Sequence, residues 1–211
     1  LELPGTFGIA PDRVVILLAG GMKNLHDLAG GPEDDTDQAG RDIEAAVVGP
    51  DDCIIALSAS GTTPYALAAL RGAIANNAPA PLLGEADIAI HLSTPPEIIA
   101  GSTRMGAGTA QKIALNMIST LTAIRLGHVH DGEMVNLKAD NAKLRQRANR
   151  IVCAISKCTH EQAERHLEAA EGSVKVAILL AAGAPNSQQA LDMLAASGQA
   201  LRPALQHLQQ T

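Results

Sequence analysis

The residues best suited to chemistry begin in the stretch "IIALSASGTTPYALAAL", Ile54 to Leu70. An apolar run stops at Ser58, and Ser60, Gly61 and Thr63 follow before a helix-like run opens at Pro64. The first turn of a helix carries backbone N–H groups without partners, and the helix dipole makes that end partly positive. A phosphate can accept those N–H bonds while nearby hydroxyls add more, and a glycine lets the backbone come close. Ser and Thr are also ordinary helix caps, so the segment alone fits a capped turn as well as an anion cradle.

Carboxyl groups are the second resource. Glu2 lies in "LELPGTFG" and Glu33 in "GGPEDD", where Asp34 and Asp35 follow. Taken singly, Glu2 reads as a surface residue near a chain end. Glu33, Asp34 and Asp35 read as an acidic helix start facing the positive dipole, with cation binding as the competing use. The stretch "PPEIIAGSTRMGAGTAQKIALNMIST" reads as a loop entering a helix, with Arg104 an exposed charge. His128 and His130 could chelate a metal, but no acidic or cysteine partner stands nearby at ligand spacing.

The composition narrows what such groups could act on. The chain has 211 residues, a formal charge of −6 and 46% hydrophobic residues, which suits an ordinary core and argues against a nucleic-acid surface. Phe7 and Tyr65 are the only aromatic residues of the Phe, Tyr and Trp set. A ligand platform built on stacking is therefore disfavoured, and polar groups and backbone must do the holding. Cys53, Cys153 and Cys158 are odd in number and lack CxxC spacing, so they read as small core residues in a reducing cytoplasm. No apolar run reaches the roughly 20 residues of a membrane span, so no membrane partner is expected. The chain begins at Leu1, and a segment before it is expected to be missing.

The elements that must position these groups follow from the pattern. "RVVILLAGG" (Arg13–Gly21) predicts a buried strand running into a glycine turn. "DDTDQAGRDIEAAVVG" predicts a helix with acids in its first turn. "CIIALSAS" predicts a buried strand and "PYALAALRGA" the helix after it, opened by Pro64. The chain must then turn almost without a loop into a strand at Ala73–Ile74, so residues are expected to be missing there. "ADIAIHLST" predicts another strand, and Gly108–Gly127 a long, largely buried helix. Apolar strands alternating with helices imply a parallel sheet flanked by helices. From about Asn141 five short helices are predicted: "NAKLRQRANRIVCAIS", "THEQAERHLEAA", "SVKVAILLAAG", "NSQQALDMLAASG" and "ALRPALQHL". Thr159 and Gln162 have capping-box spacing. The division expected is an α/β domain over 1–145 and a small helical domain over 146–211.

Six pieces in one order, "ELPGTFG", "LLAGG", "GGPEDD", "SASGTTPY", "GSTRMGAGTAQK" with "ALNMIST", and "IRLG", closely resemble the N-acetylmuramic acid 6-phosphate etherases of cell-wall sugar recycling. The resemblance runs along nearly the whole chain. It implies a sugar-isomerase-like fold that binds phosphosugars, usually as a homodimer in the cytoplasm, with a small helical C-terminal part. It assigns the phosphosugar to Ser58, Ser60, Gly61 and Thr63, together with Ser102 and Arg104. It matches Glu2 to the proton donor and Glu33 to the second active-site glutamate, and it implies no metal or organic cofactor.

The reaction so implied removes the lactyl ether from carbon 3, leaving N-acetylglucosamine 6-phosphate and D-lactate. A base takes the hydrogen on carbon 2, an acid protonates the departing lactate oxygen, and water adds across the double bond. One carboxyl group must be ionised and the other protonated, so their surroundings must differ. The family usually carries Arg where Thr62 stands and Lys where Gly106 stands, and a glycine- and serine-rich loop that precedes the Glu2 segment is absent. Those differences keep a phosphosugar-sensing regulatory protein of the same fold as the alternative. An aldose–ketose phosphosugar isomerase is the third reading, and "GSTRMGAGTAQK" argues against it.

Overall fold

Short alanine- and isoleucine-rich runs fill the chain up to His91, and longer amphipathic ones follow Met105, so strands come early and helices late. The computed structural model describes residues 3–27, 30–69, 72–137, 139 and 141–210. In chain order its elements are α1 (Leu3–Phe7), α2 (Asn24–Asp27), α3 (Thr36–Ala45), β1 (Ile55–Ser58), α4 (Pro64–Leu67), β2 (Gly72–Ala75), α5 (Pro81–Glu85), β3 (Ile88–His91), α6 (Gly106–Arg125), β4 (Val129–His130), β5 (Glu133–Met134), α7 (Ala142–Ser156), α8 (His160–Ala169), α9 (Val174–Ala181), α10 (Ser187–Ala196) and α11 (Leu201–Gln210). Single 3-10 turns occupy Pro11–Arg13 and Gly31–Asp34. The chain divides into two compact units, Val15–Met117 and Leu1–Val14 with Ile118–Thr211.

In the first of these, β1, β2 and β3 form a parallel sheet in that order. Register pairs Ala56 with Ala73 and Ser58 with Ala75, then Ala73 with Ala89 and Ala75 with His91. Small side chains on that face let α4 and α5 approach, and Ala56, Ala66, Ala73, Ala75 and Leu82 close into a core. The expected parallel α/β architecture followed by a helical C-terminal region is what the chain forms.

Local expectations fare less evenly. Arg13–Gly21 is not a strand: Val15 and Ile16 are 61% and 58% exposed, and no ladder reaches them. An apolar run becomes a strand only where a neighbour completes its hydrogen bonds, and the sheet edge at β1 has none among the described residues. The helix expected over Pro64–Ala73 ends at Leu67, because the Gly72 N–H is already committed to the Ile54 carbonyl at 2.9 Å as β2 begins. Leu70 and Arg71 lie outside the described residues. The long helix forms, but it is not largely buried. Only Ala107 and Ala123 are inaccessible, while Ile113, Met117, Leu121 and Ile124 are about half exposed or more. Their spacing of four, four and three residues lines them along one face. Cys53 is exposed, so it is no core residue.

In the other unit, β4 and β5 pair as an antiparallel hairpin across Asp131 and Gly132, both at positive φ. Asp-Gly favours this tight primed turn, the sequence signal for a hairpin that the apolar pattern did not reveal. All five predicted C-terminal helices form. The capping box at α8 is complete: Thr159 N–H donates to Gln162 Oε1 at 2.9 Å, and Gln162 N–H to Thr159 Oγ1 at 3.3 Å. Ile151, Val152, Ala163, Ile178, Leu179 and Ala204, among others, make one closed core with 0% exposure. No helix among the described residues is long and apolar enough to cross a membrane.

Candidate functional site

At the carboxyl end of β1 the polypeptide turns sharply into α4, and four hydroxyls gather in the turn. Ser58 is buried, and its Oγ accepts the Gly61 N–H at 3.0 Å. That oxygen lies 2.9 Å from Thr63 Oγ1 and 3.3 Å from Ser60 Oγ. Exposed Ser60 accepts from both the N–H and the hydroxyl of Thr62, at 3.2 and 3.0 Å. Gly61 is required here. Its φ is +73°, and a Cβ would stand 2.5 Å from the Cβ of Ala80. Ser58, Ser60, Gly61 and Thr63 are thus brought together. The helix they lead into is a single turn, and Thr63 leaves its first N–H groups without a side-chain cap.

Asn76, which the sequence reading passed over, organises this edge of the sheet. It is 5% exposed and stands just after β2. Its N–H donates to Ala59 in the hydroxyl turn at 3.2 Å, and its Nδ2 donates to the Leu92 carbonyl beyond β3 at 3.0 Å. Its Oδ1 accepts from Gln111 Nε2 of α6 at 2.8 Å. A buried asparagine ending an apolar run ("GAIAN") was the available signal, since a buried amide must find partners. The start of α6 is held further by Glu97, whose Oε1 accepts from the N–H groups of Gly106 and Ala107 at 2.8 and 3.2 Å. Ser102 and exposed Arg104 sit in the loop leading directly into that first turn. One residue, through its backbone N–H and its side-chain amide, therefore joins the hydroxyl turn to the helix that follows Ser102 and Arg104.

Glu33 is exposed on the 3-10 turn Gly31–Asp34, which packs against α4 immediately after the hydroxyl turn. Asp35 caps α3, accepting from the Gln38 N–H at 2.8 Å, and so serves the helix end. Glu2 lies outside the described residues. His130 is buried with its Nε2 3.5 Å from Asp131, and the Nδ1 of His128 is buried without a hydrogen-bond partner among the described residues. Burial holds both imidazoles below their ordinary range. Among the described residues no three His, Cys, Asp or Glu side chains converge as metal ligands would.

Hydroxyls and a positive-φ glycine thus stand at the carboxyl edge of a parallel sheet, the edge outside which the class of open α/β folds takes its ligands. Known proteins make the class specific. The chain is 43% identical over 206 residues to an N-acetylmuramic acid 6-phosphate etherase of Deinococcus radiodurans, covering 93% of this chain and 68% of that protein. It is 43% identical to the protein of that name from Geobacillus thermodenitrificans, over 85% of this chain and 64% of the relative. It is 44% identical to the one from Erwinia tasmaniensis, over 99% and 72%. No protein-family model matches the chain. The chain belongs to the N-acetylmuramic acid 6-phosphate etherase family, whose members are carbon–oxygen lyases, and it spans about two thirds of the length of these relatives.

Proposed function

We propose that the protein cleaves the lactyl ether of N-acetylmuramic acid 6-phosphate, consuming water and releasing N-acetylglucosamine 6-phosphate and D-lactate. The observation that carries this is the hydroxyl turn of Ser58, Ser60 and Thr63 around Gly61, in a chain of this family. The turn holds the substrate phosphate, with Ser102 and Arg104 completing the phosphosugar site from the entry to α6. Glu33 takes the hydrogen from carbon 2 of the open-chain sugar, acidified by the adjacent aldehyde. Glu2 protonates the lactate oxygen as the carbon–oxygen bond breaks, and water then adds at carbon 3. The same reading divides the chain into a phosphosugar-binding domain over 1–145 and a helical domain over 146–211, in the cytoplasm.

It also includes a homodimer. The stripe of Ile113, Met117, Leu121 and Ile124 supports association, since contiguous exposed apolar surface marks an interaction site. Sedimentation at micromolar concentration tests it, and a monomer there rejects it.

Two positions favour the sensor as a second reading. Thr62 spends its hydroxyl on Ser60, and Gly106 has no side chain, where the family usually carries cations. Incubation with N-acetylmuramic acid 6-phosphate separates the readings. The lyase releases D-lactate with turnover; a sensor binds the sugar and releases none.

A further inference from the structure

The loop that carries Ser102 and Arg104 buries almost nothing of its own. Residues 98–101 and 103–105 are all exposed, Ile98 fully so. A stretch without buried side chains is held only where its hydrogen bonds are made. Ser102 N–H donates to the Ile99 carbonyl at 3.0 Å, and the Thr103 carbonyl accepts from the Gly108 N–H at 2.8 Å. Neither bond reaches the residues before Ile99.

Glu97 supplies that connection. Its Oε1 accepts from the N–H groups of Gly106 and Ala107, nine and ten residues further on, and so closes the loop around Ser102 and Arg104. Those donors belong to the first turn of α6, where helical N–H groups lack partners and the dipole favours an anion. Among the described residues no Lys, Arg or His side chain forms an ion pair with this carboxylate, so the helix end is what answers its charge. Ala107 is also where the clamp meets the hydroxyl turn. It is buried, and its carbonyl accepts from Asn76 Nδ2 at 3.5 Å. The Asn76 N–H in turn donates to Ala59, between Ser58 and Ser60. A short path of hydrogen bonds thus runs from the hydroxyl turn through Asn76 and Ala107 to Glu97 at the start of the loop.

We propose that Glu97 is a positioning residue for phosphosugar binding: by closing the loop on the first turn of α6, it fixes Ser102 and Arg104 relative to the Ser58–Thr63 turn. This role rests on the phosphosugar reading above, in which both sets of groups hold one ligand. Glu97 acts through the loop and takes no part in proton transfer. Its own carboxylate fills the α6 terminus, which leaves the hydroxyl turn to take the substrate phosphate. Losing the clamp weakens the hold on substrate and transition state alike, so it raises KM and spares kcat.

The test compares the whole chain with its Glu97→Ala and Glu97→Gln variants. It measures D-lactate release from N-acetylmuramic acid 6-phosphate, binding of N-acetylglucosamine 6-phosphate, and hydrogen exchange by mass spectrometry. Glu97→Gln keeps an acceptor oxygen and should hold KM and Kd within about threefold. Glu97→Ala should raise both about tenfold or more, with kcat within about threefold. Exchange over residues 98–107 should quicken in Glu97→Ala alone and stay unchanged elsewhere, which separates a loosened loop from general unfolding. If Glu97→Ala does not fold, Glu97→Asp takes its place, since its carboxylate falls one methylene short of the two N–H groups. The role is overturned if the shortened side chain leaves KM and Kd unchanged, if Glu97→Gln is equally impaired, or if exchange over 98–107 is the same in every variant. A native chain that binds the sugar phosphate but releases no lactate rejects the lyase alone, and the Kd and exchange differences then still decide the clamp. A native chain that binds no sugar phosphate overturns both.

Discussion

Tyr65 donates its phenol hydroxyl to Asp42 Oδ2 at 2.6 Å, joining α4 to α3 directly behind the hydroxyl turn. Burial, and then the Asp42 carboxylate, push the phenol up to about 12. The same bond, with a second from Gln38, holds the Asp42 carboxyl below its ordinary value. Tyr65 is the only tyrosine and tryptophan is absent, so phenolate absorbance reads this one contact. The folded chain should titrate near 12, and Asp42→Asn should bring the midpoint down towards 10. The phenol's contribution to stability is complete below pH 10 and is lost as pH rises through 12, while that of Asp42 is lost in acid, below its ordinary 3.8. A folded midpoint at 10 refutes the coupling. Tyr65→Phe should cost about 1–2 kcal/mol in denaturant unfolding, since the acceptor is charged but partly exposed.

Ser60 and Ser58 should behave differently although both belong to the proposed phosphate turn. Ser60 is exposed, and losing its hydroxyl removes a bond to a charged ligand worth about 1.5–3 kcal/mol. Ser60→Ala should raise KM about ten- to hundredfold with little change in Tm. Ser58 is buried and is the acceptor for Gly61, so Ser58→Ala strands an N–H inside the turn. That variant should lose stability by about 1–3 kcal/mol as well as affinity. Equal Tm shifts for the two would contradict the division of labour.

Much of this architecture was legible in the residues, for identifiable reasons. β1, β3 and α7–α11 were readable because their periodicity, caps and breakers agree, as at Thr159 and Gln162. The turn at Ser58–Thr63 was readable because hydroxyls and glycine meet where an apolar run ends. Arg13–Gly21 misled because apolarity gives burial potential without naming the neighbouring strand. α6 misled in the same way: its apolar stripe is real, yet nothing in one chain's sequence says what covers it. Asn76 was overlooked because its role depends on Ala59, Leu92 and Gln111, which only the fold brings together.

Lys175 offers a test of the helical unit. Its side chain is 3% exposed, with Nζ donating to the Gln199 carbonyl at 2.9 Å. Burial lowers its pKa to about 8, and the charge in turn depresses neighbouring His128. The folded amine therefore gives up a proton that the unfolded chain keeps up to its ordinary 10.5. The destabilisation is complete below pH 8 and is relieved as pH rises from 8 to 10.5. Against Lys175→Met, the native protein should gain stability across that window, by at most about 1.4 kcal/mol per pH unit. The slope is the readout, because the variant also loses the bond to Gln199. Parallel stability curves would show that the amine is not held in this way.

The two carboxylates carry the proposed reaction and can be separated. Glu33 stands on the 3-10 turn packed against α4 and is assigned carbon 2 of the sugar in the proposed reaction. Glu2 is assigned to the leaving oxygen. Glutamine preserves shape but neither delivers nor accepts the proton. Glu2→Gln should slow D-lactate release by roughly 10²–10⁴-fold, the usual scale for a general acid. Exchange of the carbon-2 hydrogen with solvent deuterium should outlast that loss, because Glu33 still abstracts it. Glu33→Gln should suppress exchange and release together, since without the carbanion nothing is eliminated. Mass spectrometry of recovered substrate and a D-lactate assay on the same samples distinguish the cases. If either variant retained full lactate release, its glutamate would have no part in the chemistry. If Glu2→Gln abolished exchange while Glu33→Gln spared it, the two roles would have to be reversed.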